Sequence, residues 1–270
     1  MSPLLLLSMC LGSVSFLSHD IAVPRPLASP QQTDIGFSIE SFEDAAISTW
    51  FINAHIGGGI TFFEWSGNRF RLQVGSDAAA WLTLGHTGKM TFPLSDSDFM
   101  FSFPISFVWK EGNYTISSLI RWSHISGHLG DGASKLLKRD IDPITYSRDF
   151  VTLFLGHEVR ERLLWEFNLK IYLTVTRLIK TVPKDVNRWP LTAGIELLPF
   201  VSSARFCEEW SPYFVAEVGE AYLSSQVGMQ VRGPHQTKIR LAFTLFVGSD
   251  QRGQFIGEKI SKAGLGLFFN

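Results

Sequence analysis

Cysteine is nearly absent from this chain, with two in 270 residues, Cys10 and Cys207. Cys10 lies in a segment expected to be removed, which leaves one thiol and no intramolecular disulfide in the mature protein. Cys207 then reads as a small half-buried residue. Charge of one sign is also missing: 24 Lys and Arg stand against 25 Asp and Glu. That balance gives no basic footprint and excludes nucleic acid as the expected partner. Beyond the N-terminus no run of about 20 apolar residues occurs, so helical membrane spans are excluded. The Gly57-Gly58-Gly59 run lacks the Gly-Lys-Ser/Thr of a phosphate loop and reads as a bulge or tight turn. No cofactor and no metal site is expected.

What the chain has in quantity is aromatic residues, with 23 Phe and 8 Trp. Mean hydropathy is +0.12 although 18% of residues are charged. The apolar residues are dispersed, often at every second position. Residues 99–109 show the strongest alternation: Phe99, Phe101, Phe103, Ile105, Phe107 and Trp109 share one face. Five aromatics on one face of one strand overfill a small soluble core and suit a lipid-facing wall. Similar segments follow at 58–65, 69–74, 78–84, 114–129, 146–158, 161–176, 191–201, 213–222, 224–232 and 238–248. The chain closes on residues 253–269, where Leu265, Leu267 and Phe269 alternate with Gly264 and Gly266. The reading is all-β: an antiparallel transmembrane β-barrel of about twelve strands, within a range of 10 to 14. A soluble β-sandwich, the rival, needs polar outer faces that residues 99–109 lack.

Residues 3–17 form the apolar core of a secretory signal peptide, although no Lys or Arg precedes them. Residues 1–22 are therefore expected to be a leader. Residues 23–34 carry three prolines and few large apolar groups, and read as an extended or mobile linker. The barrel is expected over 35–270, with 35–56 open between plug, periplasmic segment and first hairpin. Trp65, Trp109 and Tyr114, near strand ends, are candidate girdle residues.

Chemistry-bearing groups concentrate in residues 119–132. This window holds two of the seven histidines, His124 and His128, with Ser126 between them and Asp131 near its end. On a strand, residues two apart share a face. Ile120, Trp122, His124, Ser126 and His128 thus point one way, and Arg121, Ser123 and Ile125 the other. A charge facing lipid at mid-membrane costs about 2–4 kcal/mol. Arg121 is therefore assigned to the lumen, which carries His124 and Ser126 outward. His124 and His128 lie roughly 13 Å apart on a strand, too far to share one ion. Without chemistry, the histidines are rim residues, Ser126 and Gly127 keep the wall thin, and Asp131-Gly132 is a turn.

A His-x-Ser pair on the outer wall of a barrel resembles outer-membrane phospholipase A and the outer-membrane lipid A deacylases. The resemblance implies His124 as general base and Ser126 as nucleophile, with a third polar group orienting the histidine. The phospholipase pattern wants Asn-Gly after the serine, where this chain has Gly127-His128. Asp131, Asp140 and Asp149 are the candidate orienters, and the provisional set is His124, Ser126 and Asp131.

The longer string Ser123-His124-Ile125-Ser126-Gly127-His128-Leu129-Gly130-Asp131 resembles the bacterial family called domain of unknown function 1207. So do Gly253-Gln254-Phe255, the closing Gly264-Leu265-Gly266, and Tyr146-Ser147-Arg148. Members often carry Glu after the Asp, where this chain has Gly132. The resemblance implies a barrel in the bacterial outer membrane and supplies no activity. The lipid bilayer is the expected partner. A C-terminal strand ending on Phe269 and Asn270 is the expected signal for the barrel assembly machinery. Two functions remain: a structural, pore or binding barrel, or a lipid hydrolase using His124 and Ser126.

Overall fold

In the computed structural model, the structure describes residues 12–18, 21–42, 50–86, 91–133, 136, 144–162, 166–184, 186–199, 210–232 and 238–269. Among the described residues, thirteen strands run in chain order: β1 Ser13–Ser18, β2 Ile35–Phe42, β3 Trp50–Ser66, β4 Phe70–Gly85, β5 Leu94–Glu111, β6 Tyr114–Leu129 and β7 Tyr146–Arg162. They continue with β8 Glu166–Val182, β9 Leu191–Pro199, β10 Ser211–Gly219, β11 Tyr222–Arg232, β12 Lys238–Ser249 and β13 Lys259–Phe269. Each strand from β2 to β13 pairs antiparallel with its neighbour in sequence. The last pairs back onto β2, from Phe269↔Ile35 to Lys262↔Phe42. The result is the expected closed barrel, with twelve strands in the ring. Closure leaves no edge along that seam, which a bilayer requires. β1 lies outside the ring count and pairs with Thr61–Ser66 of β3, where β3 outruns β2.

Alternation places the side chains as the sequence pattern predicts. Phe99, Phe101, Phe103 and Ile105 of β5 are 43–51% exposed, whereas Met100, Ser102 and Ser106 at the alternate positions are buried. Exposed Ile, Leu, Val and Phe side chains recur on every ring strand except β4, whose apolar side chains are less exposed. On β13 the outward row is Leu265, Leu267 and Phe269. Such a surface suits lipid rather than water.

Several sequence segments merge. Residues 69–74 and 78–84 form the single strand β4, because Gly75, Ser76 and Asp77 interrupt the apolar pattern while the β3–β4 ladder runs on through them. Residues 35–56 contain the first hairpin, β2 and the start of β3. Gly253–Phe255 forms a 3-10 turn instead of the start of the last strand, and its residues are buried. The expected turn at 233–236, Cys207 and Asp140 lie outside the described residues.

The segment expected as a mobile linker is packed inside the barrel. Ala22 N–H donates to Gln73 of β4 at 2.7 Å. Arg25 reaches Ser102 of β5 at 3.3 Å and Asp77 of β4 at 3.9 Å. Leu27 N–H donates to Glu196 of β9 at 2.8 Å, and Gln226 of β11 donates to Leu27 C=O at 2.8 Å. Asp34 pairs with the fully buried Arg240 of β12 and accepts from His55 of β3 at 2.7 Å. A segment touching strands all round a ring lies within it. Its prolines favour extended backbone without a ladder of its own. Inward charges explain the rest: Arg121 meets Asp77 at 3.2 Å, so Asp77 serves two buried guanidinium groups.

Two outcomes are expected. Phe103→Arg places a charge on the lipid face and should lower folding into vesicles by about 2–4 kcal/mol, read from urea titrations. Asp77→Ala leaves Arg25 and Arg121 buried without their carboxylate and should cost about 3–5 kcal/mol in the same measurement.

Candidate functional site

His124, Ser126 and Asp149 meet on the outer wall, where β6 and β7 run side by side. The β6 parity is as expected: Leu119, Arg121, Ser123 and Ile125 are buried on the lumen side, and Ile120, Trp122, His124, Ser126 and His128 face outward. On β7 the outward row is Ser147, Asp149, Val151, Leu153 and Leu155, since Phe150, Thr152 and Phe154 are buried within. Register sets His124 directly opposite Asp149 and Ser126 opposite Ser147. Directly opposed residues hold their Cβ atoms about 4.5–5.5 Å apart, close enough for side chains to join.

They do join: His124 Nδ1 and Asp149 Oδ1 are 2.7 Å apart, with the side chains 32% and 28% exposed. A carboxylate only accepts, so the imidazole donates from Nδ1, which in the neutral ring leaves the lone pair on Nε2. Ser126 is the next outward residue on the same strand, about 7 Å away between Cα atoms. Among the described residues, no hydrogen bond links Ser126 to His124. Catalytic contacts are often long in the absence of substrate.

The provisional third member, Asp131, lies elsewhere. It is exposed in the turn beyond the end of β6, roughly 20 Å along the strand direction from His124. That turn is held by Gly130 N–H on Ser95 C=O at 2.7 Å and Gly132 N–H on Leu94 C=O at 2.9 Å. Asp149 replaces Asp131 beside the histidine. The pattern of β7 places Asp149 outward, but only the register across the 130–145 connection brings it to His124.

The surroundings are aromatic on one side and polar on the other. Phe101 lies 5.4 Å from the His124 ring and 5.5 Å from Trp122, and Phe99 lies 5.9 Å from His128. Below the dyad, towards the C-terminal rim, the outward residues are apolar. Above it come Ser126, His128 and Ser147. The dyad therefore sits at the edge of the apolar belt, where polar groups cost less.

Behind this wall, sequence reasoning missed a support. Gln254, on the turn after β12, donates to Gly127 C=O at 2.8 Å and to Ile144 C=O at 2.9 Å, and accepts from Ile144 N–H at 3.1 Å. It ties the end of β6 to the residues that lead into β7. Gly253 N–H donates to Asp98 at 2.9 Å, and a Cβ at Gly127 would collide with that carboxylate. Arg252 carries the same turn into a cage of Asp96 and Asp250. Burial alone lowers the Arg252 pKa, but the two carboxylates outweigh it and hold the pKa above its ordinary value.

The barrel resembles solved outer-membrane barrels. Outer membrane phospholipase A from Escherichia coli matches with a TM-score of 0.55 and 11% identity, over 93% of this chain and 94% of that one. The Salmonella typhi outer membrane phospholipase dimer, solved with bound calcium, matches with a TM-score of 0.56 and 10% identity over 94% of each chain. At such identities the likeness is one of fold. No curated protein matches the sequence. The family model for the protein of unknown function DUF1207 matches residues 25–270, from the luminal segment to the last strand, and the chain belongs to that family.

Proposed function

We propose that this protein is a bacterial outer-membrane hydrolase that cleaves acyl esters of membrane lipids, with Ser126 as nucleophile, His124 as general base and Asp149 as its orienter. The hydrogen bond between His124 Nδ1 and Asp149, on the lipid-facing wall two residues from Ser126, carries this reading. It assigns the His124 proton to the carboxylate side and leaves Nε2 to act as the base. The likeness in fold to two outer membrane phospholipases supports the substrate class.

In this mechanism, Ser126 Oγ attacks the ester carbonyl carbon as its proton passes to His124 Nε2. The tetrahedral intermediate collapses, and the leaving alkoxide of the lipid takes that proton from His124. Water then attacks the acyl-serine by the same route, releasing a fatty acid and restoring Ser126. Asp149 stabilises the imidazolium in both halves without taking its proton. The site opens sideways to the bilayer, so the acyl chains stay in lipid while the ester reaches the wall.

The pore reading fares less well, since residues 22–34 occupy the lumen and are bonded to strands on all sides. The secretory leader, expected over residues 1–22, is proposed to end before Ala22, whose N–H bonds within the lumen, and the alternating C-terminal strand is proposed as the element read by the assembly machinery. Longer connections commonly face the exterior and short turns the periplasm. The 130–145 connection, beside the dyad, thus marks the outer leaflet side.

Purified full-length protein, made in a host without its own outer-membrane phospholipase, should release fatty acid from labelled phospholipid in mixed micelles. Ser126→Ala should reduce release by about 10³-fold or more. Asp149→Asn should reduce it by about 10²-fold or more, by favouring the wrong imidazole tautomer. Asp131→Asn should leave it intact. Equal release by wild type and Ser126→Ala would remove the proposal. Planar-bilayer recordings should show no steady conductance, and deletion of residues 22–34 should open the barrel; steady channels in wild type would restore the pore reading.

A further inference from the structure

Two cationic side chains stand on the lipid-facing wall one strand beyond Asp149. The register runs Trp122↔Val151↔Arg177 and His124↔Asp149↔Lys180 across β6, β7 and β8. Arg177 and Lys180 thus share the outward face with the dyad. Adjacent strands are about 4.8 Å apart, which sets β8 about 10 Å from β6. The ladder shifts between Asp149 and Phe150, leaving Ile179 without a partner across β7. This bulge lets both Ile179 and Lys180 emerge at the surface.

Arg177 is held in place. Thr176 N–H donates to Pro190 C=O and Leu178 N–H to Arg188 C=O, each at 3.0 Å. These two bonds bracket Arg177 opposite Trp189. The guanidinium carbon lies 4.6 Å from the Trp189 ring centroid, and Trp189 is 57% exposed. Asn187 fixes the approach to Trp189, accepting its N–H at 2.9 Å through Oδ1 and donating to Glu220. Among the described residues, neither Arg177 nor Lys180 has an ion-pair carboxylate. Lys184 and Arg188 add exposed positive charge above them. An aromatic ring orients the guanidinium and leaves its N–H fork free, as recognition of a phosphate requires.

We infer that Arg177, backed by Trp189, and Lys180 bind the phosphate of an anionic lipid headgroup and so present that lipid's ester to Ser126. The presenting half rests on the hydrolase reading above; the binding half does not. A lipid whose headgroup straddles β7 touches the cations on one side and the dyad on the other. A free interfacial arginine that merely snorkels to water needs neither the Trp189 stack nor a second cation on the row of the dyad.

The test uses the full chain in vesicles of phosphatidylcholine with either phosphatidylglycerol or further phosphatidylcholine as the labelled lipid, acyl chains matched. Native mass spectrometry of protein extracted from the same vesicles counts retained lipid. Wild type should cleave phosphatidylglycerol about tenfold faster, the value of one charged hydrogen-bond contact. Arg177→Gln should bring the two rates together, and Arg177→Lys should keep part of the difference. Lipid A should likewise be preferred over its dephosphorylated form if the phosphate comes from that source. Heat-modifiable gel mobility checks that each variant is folded.

Equal, Ser126-dependent cleavage of both phospholipids, with no preference between the lipid A forms, would overturn the headgroup site and leave the hydrolase. Phosphatidylglycerol retained by wild type and lost in the folded Arg177→Gln/Lys180→Gln variant, without cleavage, would support the headgroup site and remove the hydrolase. Neither cleavage nor selective retention would overturn both.

Discussion

Closure of the hydrogen-bond ladder between β13 and β2 is the constraint on which the rest depends. A closed ring has no edge, so each ring strand is held on both flanks and its parity cannot slip locally. Slipping one residue would turn Arg121 and Ser123 to lipid and Trp122 to the lumen. The same parity that buries Arg121 against Asp77 sends His124, Ser126 and Asp149 outward. The location of the candidate chemistry therefore follows from where the charges on the alternate residues are neutralised. The outward dyad is inseparable from the inward ion pairs.

Those inward pairs explain why the lumen is filled. Asp77, Glu196, Gln226 and Arg240 all face inward, and each meets a group from residues 22–34. A charge in a narrow lumen, away from bulk water, needs a partner. Residues 22–34 supply partners as backbone N–H and C=O groups and as Arg25 and Asp34. A segment with three prolines suits this task, because it offers backbone groups unused by a ladder of its own. Its polarity and prolines made it look like a linker in sequence. The property that marks a solvated connector also marks a luminal ligand of a polar barrel.

The fold and the faces were legible because alternation is local. Phe99 to Ile105 announce lipid on their own, and Arg121 assigns the parity of β6 without reference to any other strand. Asp149 shows what was not legible. It stood among three candidate orienters, and nothing within β6 distinguishes it from Asp131 or Asp140. The distinction lies in the β6–β7 register, set across a connection of 16 residues from 130 to 145. Sequence spacing favours Asp131, seven positions from His124, and register favours Asp149, 25 positions away. A strand makes the near residue far, because each position adds about 3.3 Å. Gln254 was still less accessible, since it lies 127 positions from Gly127.

Gln254 also brings together in space some of the separated strings on which the family resemblance rests. His124 to Asp131 and Gly253 to Phe255 meet in space through the bonds of Gln254 to Gly127 and Ile144. Glycine is needed on both sides of that contact: a Cβ at Gly127 would strike Asp98, and one at Gly253 would strike the Tyr146 ring. Tyr146 opens the third string, Tyr146-Ser147-Arg148, and pairs with Gly127 across β6 and β7. The three strings thus form one contact, with the wall residues outside and the turn inside. If they served folding alone, the inward half would suffice, since Gly127, Gln254 and Tyr146 complete the packing. The outward half, His124 with Ser126 and Asp149, adds nothing to that packing. A polar dyad at the edge of lipid is a burden to a purely structural wall, and the turn behind it holds its two strands in the one register that forms it.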